Sequence, residues 1–202
     1  LFVNSRLDAT ENPGGDTVQV VQTKRVLEEL GVTVDVRSPA DLAELPPFDL
    51  AHVFNLQMPE SAMQVFEALQ QAHRPIVLSS IYWDTWAYWF EAAEREHAKW
   101  RWPARVIGKT ATRRVYVRWQ EWKAASNPAW RTQQALLTKA WRVLPNSRVE
   151  ADLLARTFKM PGGFAAKVDI VPNGIDPSAY ETPPAPSEWF LERYGVRDFV
   201  LQ

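Results

Sequence analysis

Asn12-Pro13-Gly14-Gly15-Asp16-Thr17 is the first stretch whose residue types could do chemistry. It follows a short apolar strand, Leu1-Phe2-Val3-Asn4, and opens a helix. Adjacent glycines let backbone come close to a ligand, and the free N–H groups and dipole of a helix start favour a phosphate or sugar oxygen. The stretch is neither G-x-G-x-x-G nor a P-loop, so no dinucleotide or ATP site follows from it. The plainer reading is a turn with Asp16 or Thr17 as N-cap. A second concentration runs from Arg95 to Lys123, with nine basic residues against Glu96 and Glu121, a net of +7. Trp100, Trp102, Tyr116, Trp119 and Trp122 are interleaved with them. Arg101, Arg105 and Lys109, with Arg118 beyond, are expected on one helical side, and Arg113 and Arg114 extend that basic surface. Such a surface suits anionic lipid head groups with its aromatics at the interface. Stacking on nucleic-acid bases needs the same ingredients, and a solvated helix whose tryptophans pack on the domain needs neither ligand. His52 within a strand, His73 near a helix end and His97 in a polar helix read as structural or solvated.

The elements that must position these groups alternate. Helical spacing of Val20, Thr23, Leu27 and Leu30 predicts a helix over 17–30, stopped by Gly31. Val32, Val34 and Val36 alternate as a second strand. Residues 50–56 form a third strand, 60–72 a helix and 75–81 a fourth strand. Asp84 reads as the cap of a helix beginning at Thr85, and Pro103 is expected to split residues 85–125 into two helices, 85–100 and 104–125. Arg142-Val143-Leu144 is a buried strand stopped by Pro145. Ser147 and Glu150 have capping-box spacing, and the following helix ends at Gly162-Gly163. Residues 167–171 form a further strand before a Pro172-Asn173-Gly174 turn. This rhythm predicts an α/β fold, a Rossmann-like parallel sheet with helices on both faces and an additional helical, Trp-rich segment at about 85–125. Ligands of such sheets bind at the carboxyl ends of the strands.

Composition sets outer limits. The 202 residues are 46% hydrophobic and 23% charged, in the normal range for a globular chain. With 23 basic and 24 acidic residues the chain has no global pull toward nucleic acid, and none is expected as a partner. The absence of cysteine excludes disulfides and thiolate metal sites. No run reaches the roughly 18 apolar residues of a spanning helix, and no signal-peptide pattern is present. The chain opens inside a strand without Met and closes inside another, so both ends are read as cut.

Leu-Pro-Asn-Ser at 144–147, Asp152-Leu-Leu, and Val168-Asp-Ile-Val-Pro-Asn-Gly-Ile-Asp at 168–176 resemble the closing part of the N-terminal domain of retaining, nucleotide-sugar-dependent GT-B glycosyltransferases of family four. Gly14-Gly15 and Phe190-Leu-Glu-Arg-Tyr-Gly-Val extend the likeness over nearly the whole chain. The resemblance implies an acceptor-side domain over 1–182, with 183–202 as linker and start of a C-terminal donor-binding domain. It further implies sugar transfer with retention from a UDP- or GDP-linked donor to a glycan, lipid or other acceptor, with no cofactor and no required metal. The nucleotide site and the family's E-x(7)-E carboxylates belong to that second domain, so this stretch alone is expected to be inactive. Many members carry a His at the end of the fourth strand that contacts the transferred sugar. Here the segment reads Ser79-Ser80-Ile81-Tyr82-Trp83-Asp84, and Tyr82 or Asp84 is the expected substitute in the catalytic site. The family's Gly-rich loop makes Gly14, Gly15, Asp16 and Thr17 substrate-binding candidates, with Asn146 and Asn173 added from the two closing motifs. Family members that reach lipid-linked acceptors through a basic, aromatic surface make peripheral contact with an anionic membrane the next expectation, from a cytoplasmic location at its inner face. Two other classes stay open: a nucleotide-sugar epimerase of the same architecture, against which the missing catalytic carboxylates and His speak, and a non-catalytic binding module whose basic aromatic surface is the functional part.

Overall fold

Phe2–Asn4 (β1), Val36–Arg37 (β2), Ala51–Phe54 (β3), Ile76–Ser79 (β4) and Arg142–Val143 (β5) pair in parallel into one five-stranded sheet, ordered β2-β1-β3-β4-β5. The computed structural model describes residues 1–9, 11–83, 86–124, 126–174 and 188–195. The chain divides after Pro172 into two compact units. In the second unit the helix Glu188–Tyr194 is described, and residues 183–187 of the expected linker lie outside the described residues.

Period-two alternation separates the two faces of the sheet. Phe2 and Phe54 point to one side, where Val20 and Leu27 of Gly15–Glu29 (α1) and Val34 cover them. Val3, Val53, Leu78 and Val143 point to the other. There they meet Val65, Phe66 and Leu69 of Pro59–Gln70 (α2) and Leu136 and Leu137 of Pro128–Lys139 (α6). Both faces are apolar, as a parallel sheet clad by helices requires. Leu154 and Phe158, in and just after Arg148–Thr157 (α7), complete the larger core.

The additional segment is helical but differs from expectation in its breaks. Trp86–Glu96 (α3), Ala98–Val106 (α4) and Lys109–Ala124 (α5) replace the expected pair. Pro103 lies inside α4, and the breaks fall at His97 and at Gly108, whose φ of 89° ends a right-handed helix. Phe90, Trp100, Tyr116 and Trp119 form an aromatic cluster among these helices, with adjacent ring centroids 5.0 to 6.3 Å apart. Helix α6 is missing from the sequence reading, although Asn127 caps it by accepting from Ala129 N–H at 3.0 Å and Pro128 stands at its first position. Helix α7 ends at Thr157, not at Gly162-Gly163. Lys159 adopts φ 48°, and the two glycines instead begin a 3-10 turn over Gly162–Lys167. The strand expected at 167–171 is reduced to a single parallel bridge, Val143 to Val168, continued by Val171 N–H to Pro145 O at 3.0 Å.

Candidate functional site

β1 and β3 are neighbours in the sheet, yet the chain leaves β1 toward β2 on one side and returns to β3 on the other. The crevice between their carboxyl ends is therefore the topological switch point, where open parallel sheets bind ligands. Both strands end in the same way. Asn4 Oδ1 accepts from Arg6 N–H at 3.1 Å, and Asn55 Oδ1 accepts from Gln57 N–H at 2.9 Å. Asparagine suits both turns because its short amide imitates a backbone group and tolerates the left-handed region, where Asn55 lies at φ 79°.

Asp16 joins the two strand ends. Its Oδ2 accepts from Asn4 Nδ2 and from Asn55 Nδ2, each at 3.1 Å. Its Oδ1 accepts from Thr17 N–H at 2.9 Å and lies 3.4 Å from Arg6 Nη1. Burial alone would raise the Asp16 pKa. The amide hydrogen bonds from Asn4 and Asn55, the Thr17 N–H and the Arg6 charge outweigh it and hold the carboxyl below the usual range. Both carboxylate oxygens are thus committed inward. Asp16, expected from the sequence to contact substrate, holds the loop to both strand ends.

The cap of α1 also differs from expectation. Gly14, not Asp16 or Thr17, holds the N-cap position, and Thr17 Oγ1 accepts from Gly14 N–H at 3.4 Å while donating to Ala9 O at 3.2 Å. A β-carbon on Gly14 would stand 2.8 Å from Arg6 Nη1 and 3.0 Å from Asp16 Oδ1. Arg6 is itself anchored by Asn12 O and by Asp8 Oδ1 at 3.2 Å. A β-carbon on Gly15 would meet nothing within 4 Å. The two glycines therefore differ: Arg6 and Asp16 crowd Gly14, and none of the described residues crowds Gly15.

A second polar knot holds the carboxyl ends of β4 and β5. Glu150, buried at the third position of α7, accepts on Oε1 from Ser80 Oγ at 2.6 Å and from Tyr82 N–H at 2.7 Å. Its Oε2 accepts from Asn146 N–H at 2.7 Å, and its own N–H donates to Ser147 Oγ at 3.1 Å. One half of the expected capping box is present. In the other half the Glu150 carboxylate leaves the Ser147 N–H and reaches across the sheet. Asn146 Oδ1 in turn accepts from Gln19 Nε2 of α1 at 3.2 Å. Gly14, Gly15, Asp16, Thr17, Asn146 and Tyr82 are thereby brought to one end of the sheet. Asp84 lies outside the described residues, and Asn173 belongs to the second unit. The Tyr82 ring packs edge-on against Phe158 at 5.3 Å.

Arg6, Asn4, Asn55 and Glu150 were not singled out in the sequence. Glu150 carried a signal only as a capping residue. His52 is buried, 2.8 Å from Ser79 Oγ and stacked on Phe54 at 4.0 Å. Burial lowers its pKa to about 3, so it is neutral at pH 7.

The basic surface divides. Lys109 Nζ lies 2.8 Å from Glu91 and 3.1 Å from Glu94, and these hydrogen bonds raise the lysine's pKa while the Lys109 contact lowers that of Glu91. Arg101, Arg105 and Lys109 share one groove with α3. Arg118 does not join them; it shares a separate patch with Arg113 and Arg114 on α5, because Gly108 ends the helical phase on which the single cluster was based. Lys99 and Lys123 each lie 5.3 Å from the centre of the Trp119 ring, within cation–π range.

A doubly wound parallel sheet with a glycine-bearing helix start at its switch point defines a Rossmann-like domain of the kind that forms the N-terminal half of a GT-B fold. Its sequence matches the family model of Glycosyltransferase Family 4 over residues 13–179, from the loop through the closing motif, and the chain belongs to that family. No curated protein matches the chain.

Proposed function

We propose that this domain serves in moving a sugar from a UDP- or GDP-linked donor to a hydroxyl-bearing acceptor with retention of configuration. The C1–O bond to the diphosphate breaks, a C1–O bond to the acceptor forms on the same face, and the acceptor hydroxyl loses its proton. The observation that carries this reading is Gly15. It stands at the first turn of α1, above the Asp16 knot at the switch point, with open space where its side chain would be. Backbone N–H groups there suit the developing charge of a leaving diphosphate, fixed in place before reaction. The rest of the nucleotide site and the paired carboxylates are assigned to a donor-binding domain following the linker. Tyr82 and Asp84 remain the proposed sugar contacts where relatives use His. Asn146, Asn173 and Thr17 are proposed donor or acceptor contacts, and no cofactor is proposed.

The test is Gly15→Val in the enzyme joined to its donor-binding domain. Its fold, followed by circular dichroism, should be unchanged, and kcat/KM for the donor should fall at least tenfold. Unchanged kinetics would remove the loop from the donor site.

A second reading, peripheral membrane contact, is favoured by one observation. Arg113, Arg114 and Arg118 make no ion pair among the described residues, and Trp122 beside them is 73% exposed. Basic residues next to an exposed indole suit an anionic lipid surface, from the cytoplasmic side in this reading. Among the described residues no helix is long and apolar enough to cross a membrane. Salt-sensitive sedimentation with phosphatidylglycerol vesicles, lost in Arg113→Glu/Arg114→Glu, is expected; absence of binding at low salt would overturn it.

A further inference from the structure

A pocket of about 680 Å³ opens where Gln57, Tyr82 and Trp83, beyond the carboxyl ends of β3 and β4, face helices α5 and α6. Its wall is of mixed character. Trp83 and Trp130 supply aromatic surface, Gln57, Gln120 and Gln133 supply primary amides, and Glu121 and Lys123 add one charge of each sign. Each amide is held by a bond from its own nitrogen. Gln57 Nε2 donates to Trp83 O at 3.3 Å, Gln120 Nε2 to Tyr116 Oη at 2.7 Å and Gln133 Nε2 to Leu56 O at 2.9 Å. Trp130 is held by packing on Phe158, with ring centroids 5.6 Å apart. Trp83 is 64% exposed beside this cavity.

These ingredients select a ligand class. A pyranose ring has one face of C–H groups that stacks on the electron-rich face of an indole, and a rim of hydroxyls that both donate and accept. Oriented amides match such a rim because they carry both functions. A phosphate or carboxylate would instead call for convergent cations, whereas this wall carries the single cation Lys123 together with Glu121, and an acyl chain would set the three amides against hydrocarbon. The pocket is also wired to the switch point, since the Gln57 N–H bonds Asn55 Oδ1 and Asn55 Nδ2 bonds Asp16. We propose that this pocket binds a pyranosyl residue of a neutral glycan acceptor, stacked on Trp83 and Trp130 and hydrogen-bonded by the three glutamines. The assignment to the acceptor rests on the transferase reading above; the assignment to a neutral sugar does not.

The experiment has two arms. In the first, the 202-residue chain carries 15N-tryptophan, and its indole signals are assigned with Trp83→Phe and Trp130→Phe. Maltose, cellobiose, lactose and mannobiose are titrated to roughly 20 mM. At least one should shift the Trp83 and Trp130 signals saturably, with at least tenfold weaker binding in Trp83→Ala, a solvent-facing change that spares the core. Shifts with none of the four, shifts at other indoles only, or shifts that survive Trp83→Ala unchanged would each overturn the proposal. In the second arm, transfer to the bound disaccharide and donor hydrolysis by water are compared in the enzyme with its donor-binding domain. Trp83→Ala should lower the ratio of transfer to hydrolysis at least tenfold; an equal fall in both would move the pocket to the donor and overturn the acceptor assignment. Disaccharide binding without any donor turnover would remove the transferase reading and keep the pocket, whereas donor turnover without disaccharide binding would do the reverse.

Discussion

Glu150 takes the backbone N–H of Tyr82 at 2.7 Å across 68 residues of sequence, tying the exit of β4 to the start of α7. The bond is possible because Ile81, one residue earlier, adopts φ 45°. A β-branched residue is rarely found in that left-handed region, and the conformation is held only where the surroundings over-determine it. Ile81 packs against the cluster of Phe2, Val20, Val34 and Phe54, which supplies that restraint. The turn sets the direction of the segment beginning at Tyr82 at the carboxyl end of the sheet. Glu150 thus acts on the proposed site through backbone geometry.

Glu150→Gln should therefore destabilise the fold by about 2 kcal/mol, the order expected when a buried charged acceptor of several hydrogen bonds is replaced by a group that must oppose one N–H with another. Urea denaturation followed by tryptophan fluorescence checks this. A loss below roughly 0.5 kcal/mol would mean that the knot contributes little to holding β4 and β5 together.

Gly14 and Gly15 should behave oppositely on replacement by alanine. Gly14→Ala forces its new methyl against the anchored Arg6 guanidinium and should cost about 1 kcal/mol. Gly15→Ala meets no neighbour, and a helical position gains from alanine, so the free protein should be unchanged or up to about 0.5 kcal/mol more stable. Thermal unfolding of the two variants separates a glycine kept for packing from one kept open to a ligand.

Asp16→Asn removes the charge shared by Asn4, Asn55 and Arg6 and sets an amide against amides, so it should destabilise by about 2 kcal/mol at pH 7. The native carboxyl titrates below its ordinary value of 3.8. A depressed carboxylate contributes stability that is fully present above the unfolded value and lost as pH falls through the native one. The difference between wild type and variant should therefore hold from pH 7 to about 4 and shrink below that. A constant difference down to pH 2.5 would show that the charge is not what stabilises the knot.

Much of the layout was legible because it is periodic. The strand-helix alternation, the first, third and fourth strands and the Ser147 cap follow from local spacing and are found, whereas the second strand spans only Val36–Arg37 instead of starting at Val32, and the strand expected at 167–171 is a single bridge. The breaks of the helical segment were not legible, because a proline was weighed as a stop. In α4 the Pro103 ring is accommodated with the loss of one bond, while Gly108 takes the left-handed conformation that ends the helix. The loop with Gly14 and Gly15 was legible as a glycine-bearing helix start. Its support was not: Asn4 and Asn55 lie 12 and 39 residues from Asp16, and no local pattern reveals which polar side chains parallel pairing will bring together. The same holds for Gln57, Gln120 and Gln133, which three separate elements carry to one pocket.

His52 makes the pH dependence of the fold specific. Its native pKa of about 3 lies below the unfolded value of 6.5, so below pH 6.5 the unfolded chain binds a proton that the native state refuses. Stability is then complete above pH 6.5 and is lost as pH falls toward the native value, the sign opposite to that of a histidine gaining an acidic partner. The slope for one proton is about 1.4 kcal/mol per pH unit at its steepest, and on the order of 1 kcal/mol per unit is expected between pH 6 and 4. In His52→Gln this slope should disappear, while the general destabilisation from disturbing the Ser79 contact is independent of pH in that range. Chemical denaturation of both proteins at pH 7, 6, 5 and 4 provides the measurement. Parallel curves would mean that His52 takes up its proton as readily in the folded protein as in the unfolded chain, and below about pH 6.5 the stacking on Phe54 would then be a cation–π contact in place of a neutral one.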